Sequence, residues 1–172
     1  MAVSKYNEIS FEILDKDNDE GISKMSSVAT SIVREFYDPI LGKEQNDYMI
    51  ELFQSERSIK EQLESGVNYR FIYADGKSVG FFAYYPKNGY LYLSKFYVEK
   101  SSRGRGAGTK VLQYLAGEAL AAGLSSIRLN VNKRNYGSIG FYEAAGFVKI
   151  RDEVNDIGNG FVMDDFVYEK TL

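Results

Sequence analysis

A glycine-rich segment between two regular elements constrains this chain more than any other feature. Residues 98 to 108 read Val-Glu-Lys-Ser-Ser-Arg-Gly-Arg-Gly-Ala-Gly, after an apolar and aromatic strand and directly before an amphipathic helix. Gly104, Gly106 and Gly108 lack Cβ atoms, so consecutive backbone N–H groups can turn toward a ligand without steric cost. The helix adds its unpaired first-turn N–H groups and the positive end of its dipole. The segment therefore predicts an anion site, suited best to phosphate or pyrophosphate.

Two common phosphate-binding patterns fit this segment poorly. A Walker A loop requires Gly-x-x-x-x-Gly-Lys-Ser/Thr, whereas Gly108 is followed by Thr109-Lys110. A dinucleotide fingerprint requires a third glycine where Thr109 stands, and the next strand ends in Val131-Asn132-Lys133 without an acidic residue for a ribose. An ordinary tight turn remains an alternative for the glycine segment taken alone.

A third pattern fits, and a second motif supports it. Arg103, Gly106 and Gly108 match Arg/Gln-x-x-Gly-x-Gly/Ala, five residues after Val98. This resembles the acyl-CoA motif of the GCN5-related N-acetyltransferase (GNAT) superfamily. Residues 135 to 147 read Asn-Tyr-Gly-Ser-Ile-Gly-Phe-Tyr-Glu-Ala-Ala-Gly-Phe and are similar to the same family's Asn-x-x-Ala-x-x-Phe-Tyr-x-x-x-Gly-Phe signature. The resemblance implies an enzyme that moves an acetyl group from acetyl-CoA to an amine.

Composition sets the class of protein. A chain of 172 residues with 44% apolar content predicts a single domain over residues 1–172, and the resemblance implies that it is an N-acetyltransferase domain. The net charge is −3, with 21 basic and 24 acidic residues intermixed, so neither a nucleic acid nor an anionic membrane is an expected partner. The sequence contains neither a signal segment nor a membrane-spanning stretch, which predicts a cytoplasmic protein.

Two missing residue types restrict the mechanism. The chain has no Cys and no His, which excludes a Cys nucleophile, a Ser-His-Asp triad and the usual zinc sites, and no metal is expected. The remaining route is direct attack by an acceptor amine on a bound thioester, without a covalent enzyme intermediate. Carboxylates, tyrosines, backbone donors and water can assist it.

The hydrophobic periodicity predicts an α/β fold. It comprises a mixed, mostly antiparallel central sheet of about seven strands with helices on both faces, as in the GNAT family. The predicted order is a strand, two helices, a three-stranded meander, a helix, a strand, a helix and two strands. A first helix is predicted from Gly21 to about Tyr37, where Asp38-Pro39 stops it, and a helical segment over residues 44 to 66 is broken near Ser55. Asp75-Gly76 predicts a hairpin turn. A further helix is predicted from about Gly104 to Ala122.

The family resemblance implies which residues hold acetyl-CoA. The strand edge at Phe96, Tyr97 and Val98 pairs with the pantetheine amides, and the Val98 N–H donates to the oxyanion. The loop grips the pyrophosphate through Arg103, Gly104, Arg105, Gly106, Ala107, Gly108 and Thr109. Phe96 and Val98 can equally be core residues, and exposed loop arginines often interact with solvent alone.

Two residues of the second motif have both a structural and a functional interpretation. Asn135 can cap the last helix or contact the pantetheine arm. Tyr142 can be a core aromatic beside Phe141, or the general acid that protonates the leaving thiolate, since a phenol with a pKa near 10 stays protonated at neutral pH. The intact motif favours the functional role for both residues.

The general base is the open question of the sequence. Many family members carry a Glu about four residues before the Val that ends this strand, and here the residue is Ser94. Water, Ser94, Tyr92 or a carboxylate from the N-terminal helices could carry the proton. Ser94 and Tyr92 can equally be packing residues of the sheet.

The acceptor is predicted from layout alone. The segment from Tyr48 through Gln62 and the ending from Gly160 to Phe166 are similar in layout to bacterial polyamine and small-amine acetyltransferases, which implies a primary-amine acceptor. Acidic residues could attract a polycation, although most are expected to be solvated: Glu44, Asp47, Glu51, Asp164 and Asp165. The alternatives are acetylation of a protein or peptide N-terminus, a non-catalytic acyl-CoA sensor, and an enzyme that binds another nucleotide. Either a monomer or a homodimer fits the sequence.

Overall fold

The computed structural model describes residues 5–172 of the chain. Within these residues the chain forms seven strands and five helices, and a single 3₁₀ turn at Lys100–Ser102 follows the fourth strand. The strands are β1 (Ile9–Ile13), β2 (Asn68–Ala74), β3 (Lys77–Lys87), β4 (Tyr90–Val98), β5 (Ser126–Asn132), β6 (Val148–Gly158) and β7 (Phe161–Thr171). The helices are α1 (Asp19–Leu41), α2 (Lys43–Gln54), α3 (Glu56–Glu64), α4 (Ala107–Ala121) and α5 (Tyr136–Ala144).

The strands form one mixed sheet in the order β1-β2-β3-β4-β5-β7-β6. Strand β4 pairs parallel with β5, whereas β1–β2, β2–β3, β5–β7 and β6–β7 are antiparallel pairs. Asp75 and Gly76 have φ values of 50° and 82°, the left-handed conformation that a tight hairpin turn requires. The predicted seven-stranded α/β fold and the Asp75-Gly76 turn are confirmed.

The internal contacts divide the chain into two compact units. The first contains the residues up to Tyr85 together with Lys95–Val111, and the second contains Pro86–Ser94 and Leu112–Leu172. Strand β4 and helix α4 each contribute residues to both units.

The core of the first unit lies between its helices and strands β2 and β3. Met25 and Ala29 of α1 are fully buried, as are Ile59 of α3, Tyr69 of β2 and Phe81 of β3. Met25, Ala29 and Ile32 recur at helical spacing, so one face of α1 carries this core. A smaller cluster joins Val33 and Tyr37 of α1 to Ile50 of α2, with Tyr97 packed against it.

Helix α1 continues through Pro39 and ends at Leu41, so the prediction that Asp38-Pro39 stops it is wrong. A proline lacks the N–H of one intrahelical bond, and Pro39 stands so near the end that few bonds follow it. The Gly42 N–H donates to the Asp38 carbonyl at 3.1 Å and closes the final turn. The predicted break near Ser55 is confirmed, because the Ser55 hydroxyl accepts a bond from the Ser58 N–H at 3.2 Å and begins α3.

The second unit is built on strands β5, β6 and β7. Ile127, Leu129 and Val131 are buried at alternate positions of β5, as a strand with one apolar face requires. Between residues 5 and 172 no helix is both long enough and apolar enough to cross a membrane.

Candidate active site

The glycine-rich segment forms a loop between β4 and α4. Gly104 and Gly106 have φ values of 72° and 95°, in the left-handed region that glycine adopts without strain. Helix α4 begins at Ala107 and not at about Gly104 as predicted, because residues with these φ values cannot belong to a right-handed helix. A Cβ on Gly104 would meet no atom within 4 Å. The loop therefore presents open backbone immediately before the N-terminus of α4.

Arg103 fixes the start of this loop. Its Nε donates to the Val98 carbonyl at 2.8 Å, and its guanidinium carbon lies 4.4 Å from the centre of the Phe36 ring. Burial lowers the pKa of Arg103, and the nearby carboxylate of Glu35 opposes that shift. The arginine thus joins the end of β4 to α1, and its contact with phosphate remains a prediction.

Further contacts within the first unit hold the glycine-rich segment in place. The Lys100 N–H donates to the carboxylate of Glu35 at 3.3 Å, and the Ser102 hydroxyl donates to that of Glu99 at 2.7 Å. The guanidinium of Arg105 lies 5.7 Å from the centre of the Tyr6 ring. The loop is anchored at its beginning, while Gly104 is exposed with open space around it.

The end of β4 lies unusually close to β3. A Cβ built on Gly80 would stand 2.2 Å from the Tyr97 carbonyl oxygen and 3.0 Å from the Val98 Cα, so only glycine fits there. The Glu99 N–H donates to the Val79 carbonyl at 2.8 Å just beyond this point. The Tyr97 ring packs edge-on against Phe36, with the ring centres 6.1 Å apart. The backbone that is predicted to bind pantetheine is thus held in place by β3 beside it and by α1.

Lys95 is a buried titratable residue that the sequence reasoning did not identify. Only 8% of the residue is exposed, and its Nζ donates to the Phe53 carbonyl, to Gln54 Oε1 at 3.0 Å and to the Tyr69 hydroxyl at 2.6 Å. Burial lowers the pKa of Lys95 to about 7 and raises the pKa of Tyr69. The signal was present in the alternation of β4, because Lys95 shares the buried positions of Leu91 and Leu93.

The remaining predicted site residues belong to the second unit. Asn135 caps α5, since its Oδ1 accepts a bond from the Ser138 N–H at 3.3 Å. Tyr142 is 7% exposed and packs between Phe141 and Phe147, with ring centres 5.4 and 5.5 Å away. Ser94 is half-buried on β4. The structural roles of Asn135 and Tyr142 are thus present, and their roles toward acetyl-CoA stay predictions.

Some acidic residues that could attract a polycation are neutralised locally. Asp47 forms ion pairs with Arg34 and Lys43. Asp164 pairs with Lys133 at 2.8 Å. Each carboxylate already has a cation of the protein beside it, which weakens its attraction for a ligand.

Residues 30–147 match the model of the acetyltransferase (GNAT) family, and the chain belongs to this family. It is an N-acetyltransferase, and acetyl-CoA is its acetyl donor. The matched range contains all of the predicted site residues, from Ser94 to Tyr142.

Solved structures share the fold at low sequence identity. The PaiA N-acetyltransferase of Thermoplasma acidophilum, solved with coenzyme A, has a TM-score of 0.76 and 20% identity, with 96% of this chain and 99% of that chain covered. An aminoglycoside 6′-acetyltransferase type Ii has a TM-score of 0.64 and 21% identity, with 94% and 96% covered. The ribosomal-protein-alanine N-acetyltransferase of Brucella melitensis has a TM-score of 0.64 and 17% identity, with 95% and 99% covered. No curated protein sequence matches the chain significantly.

Proposed function

We propose that this enzyme transfers the acetyl group of acetyl-CoA directly to the primary amine of a small molecule, such as a polyamine. The observation that carries the donor half of the proposal is the loop of left-handed glycines at the N-terminus of α4. Gly104 and Gly106 have left-handed φ values, and the loop that they form lies at the positive end of a helix dipole, which suits a pyrophosphate. The fold shared with an aminoglycoside 6′-acetyltransferase agrees with a small-molecule acceptor.

The residues of the first unit bind and orient the donor. The N–H groups from Arg103 to Thr109 hold the pyrophosphate, with Gly104, Arg105, Gly106, Ala107 and Gly108 between them. The edge of β4 at Phe96, Tyr97 and Val98 pairs with the pantetheine amides as a short added strand. Gly80 supports this edge, because it allows β3 to approach the Tyr97 carbonyl.

The chemical step needs a neutral amine, a donor for the oxyanion and an acid for the leaving sulfur. As the amine nitrogen bonds to the acetyl carbon, the Val98 N–H stabilises the carbonyl oxygen. The carbon–sulfur bond then breaks, and the Tyr142 hydroxyl protonates the thiolate. Asn135 contacts the pantetheine arm, and Ser94 takes part in proton removal from the amine.

Two measurements test the proposal. Acetyl-CoA at saturating concentration should raise the melting temperature, because it binds only the folded state. A thiol reagent should then detect CoA release in a panel of spermidine, an aminoglycoside, free amino acids and N-terminal peptides. The protein contains no Cys, so its own thiols give no background. Absence of both a thermal shift and calorimetric binding would overturn the assigned donor site.

The same panel separates the alternatives. Turnover with N-terminal peptides only would establish a protein or peptide acetyltransferase, and the fold shared with a ribosomal-protein-alanine N-acetyltransferase agrees with that outcome. Tight acetyl-CoA binding without turnover, up to about pH 9 where more amine is neutral, would establish an acyl-CoA sensor.

A further inference from the structure

A hydrogen-bonded network of polar side chains lies on one face of the sheet in the second unit. The Tyr92 hydroxyl donates to Asn130 Oδ1 at 3.0 Å. Asn130 Nδ2 donates to Glu153 Oε2 at 2.5 Å and lies 3.5 Å from Asp165 Oδ2. Strands β4, β5, β6 and β7 each contribute one residue to this network.

The strand register explains why these side chains meet. Glu153 of β6 stands directly opposite Asp165 of β7, and Asp165 stands directly opposite Asn132 of β5. Residues that face each other across antiparallel strands project to the same side, and so do residues two apart on one strand. Asn130 therefore shares the face of Asn132, Glu153 and Asp165.

Asp165 is the member of the network with the fewest partners. The residue is 3% exposed, and among residues 5–172 its carboxylate forms no ion pair and only the long bond to Asn130. A buried carboxylate is normally paired or hydrogen-bonded several times. This one has lost most of its contact with water and retains the capacity to bind a proton.

Asp165 and Glu153 have opposite proton affinities. The pKa of Asp165 is raised to about 6, chiefly by burial and with smaller contributions from the Glu153 and Asp164 carboxylates, while Asn130 and Lys133 oppose the shift. The hydrogen bond from Asn130, followed by that from Asn155, lowers the pKa of Glu153. Two neighbouring carboxyl groups with pKa values moved apart are typical of a proton-transfer site. Glu153 stays ionised and holds Asn130, while Asp165 can gain and lose a proton near neutral pH.

The network also lies beside the position that lacks the expected base. Tyr92 and Ser94 are two residues apart on β4 and share a face of that strand. Ser94 carries no carboxylate, whereas the network that Tyr92 enters carries two.

We propose that Asp165 is the general base of the transferase, which receives the proton that the acceptor amine loses as it attacks the acetyl-CoA carbonyl. The inference rests on the proposed function. The nitrogen–carbon bond forms, the carbon–sulfur bond breaks, and the thiolate takes its proton from Tyr142. The N–H proton passes to the Asp165 carboxylate through the Ser94 hydroxyl or one water molecule. Solvent then removes the proton from Asp165 and reprotonates Tyr142, so both return to their starting states. Tyr92, Asn130 and Glu153 are positioning residues.

The pH dependence of Asp165→Asn tests this assignment, because asparagine keeps the shape but cannot accept the proton. With the best amine of the panel, wild-type kcat/KM should rise through a limb near pH 6. Asp165→Asn should lose a factor of about 10² to 10⁴ and the limb, with unchanged calorimetric affinity for acetyl-CoA. Asp17→Asn, which removes an exposed carboxylate in the turn before α1, is the control and is expected to retain both rate and limb. An Asp165→Asn enzyme that keeps the wild-type rate or the limb would overturn the proposal.

A second variant decides the question if Asp165→Asn does not fold. Glu153→Gln removes a negative charge that raises the Asp165 pKa, so the limb should move to lower pH. If the limb of the kcat/KM profile stays at the same pH in Glu153→Gln, a group other than Asp165 titrates there and the proposal is overturned. A wild-type enzyme that binds acetyl-CoA but acetylates no amine would overturn the proposed function, and the base assignment with it. Wild-type turnover with an unaffected Asp165→Asn would overturn the base assignment alone.

Discussion

Lys95 Nζ and the hydroxyl oxygen of Tyr69 lie 2.6 Å apart in the core of the first unit, with 8% and 0% of the two residues exposed. The other acceptors of Lys95, the Phe53 carbonyl and the Gln54 side-chain amide, are also uncharged. The Tyr69 hydroxyl in turn donates to Gln62 Oε1 at 2.7 Å. Within residues 5–172 no carboxylate pairs with Lys95. The protein therefore buries a lysine side chain whose hydrogen-bond partners are all uncharged, which disfavours its protonated form.

This arrangement predicts a stability that rises with pH above about 7. Below pH 7 Lys95 is protonated in both the folded and the unfolded state. Between the folded pKa of about 7 and the ordinary value of 10.5, the folded protein releases this proton while the unfolded chain keeps it. The free energy of unfolding should then increase by up to about 1.4 kcal/mol per pH unit. Urea unfolding from pH 6 to pH 10 measures the slope.

Lys95→Met isolates the contribution of this group, because methionine keeps much of the stem and cannot titrate. The difference in unfolding free energy between wild type and Lys95→Met should follow the predicted slope. Lys16→Met, at an exposed position, should leave the slope unchanged. Parallel pH profiles for wild type and Lys95→Met would contradict the lowered pKa.

Gly80→Ala should destabilise the protein and weaken acetyl-CoA binding. The new methyl group would stand 2.2 Å from the Tyr97 carbonyl oxygen, so β4 must move at the residues proposed to hold pantetheine. Overpacking of this kind costs typically about 1–3 kcal/mol. Chemical unfolding and calorimetry with acetyl-CoA measure the two effects.

Gly117→Ala is the matched control for this substitution. Gly117 lies exposed within α4, and a Cβ there would meet no atom within 4 Å. Alanine is the better helix former, so this variant should gain roughly 0.5–1 kcal/mol. If Gly80→Ala and Gly117→Ala change the unfolding free energy and the acetyl-CoA affinity equally, the lack of space at Gly80 does not determine the position of β4.

The sequence predicted the elements that local rules determine. The Asp75-Gly76 turn, the apolar alternation of β5 and the break at Ser55 each depend on neighbouring residues, and all three were found. The end of α1 was misplaced because proline is disfavoured within helices, yet a proline near the last residue removes only one bond.

The interactions that the sequence did not reveal join residues far apart in the chain. Lys95 meets Phe53 and Tyr69 only after β4, β2 and the junction of α2 and α3 have packed together. Asp165 faces Glu153 because of the register between β6 and β7, and the raised pKa of Asp165 depends first on its burial in the folded protein. A charged residue at a buried position of a strand, as at Lys95 and Asp165, is the available signal.

Gly106→Glu should weaken acetyl-CoA binding more than Gly106→Ala does. Both substitutions strain a residue with a φ of 95°, so the alanine variant measures the backbone cost by itself. The glutamate adds a negative charge where the proposed pyrophosphate binds, and like charges repel strongly when partly buried. Calorimetric affinities for acetyl-CoA give the comparison. Equal affinities of the two variants would place the pyrophosphate elsewhere.

Tyr142→Phe should reduce turnover and leave acetyl-CoA affinity almost unchanged. The ring still packs against Phe141 and Phe147, so the fold is preserved and only the hydroxyl is lost. A general acid contributes typically about 10²- to 10⁴-fold, and because Tyr142 acts on the departing thiolate the loss should fall mainly on kcat. Phe141→Leu, which alters the neighbouring packing without removing a proton donor, is the control and should affect stability more than kcat. Single-turnover rates with the best amine show whether chemistry limits the reaction. If Tyr142→Phe keeps full kcat under those conditions, Tyr142 is a packing residue and water or another side chain supplies the proton.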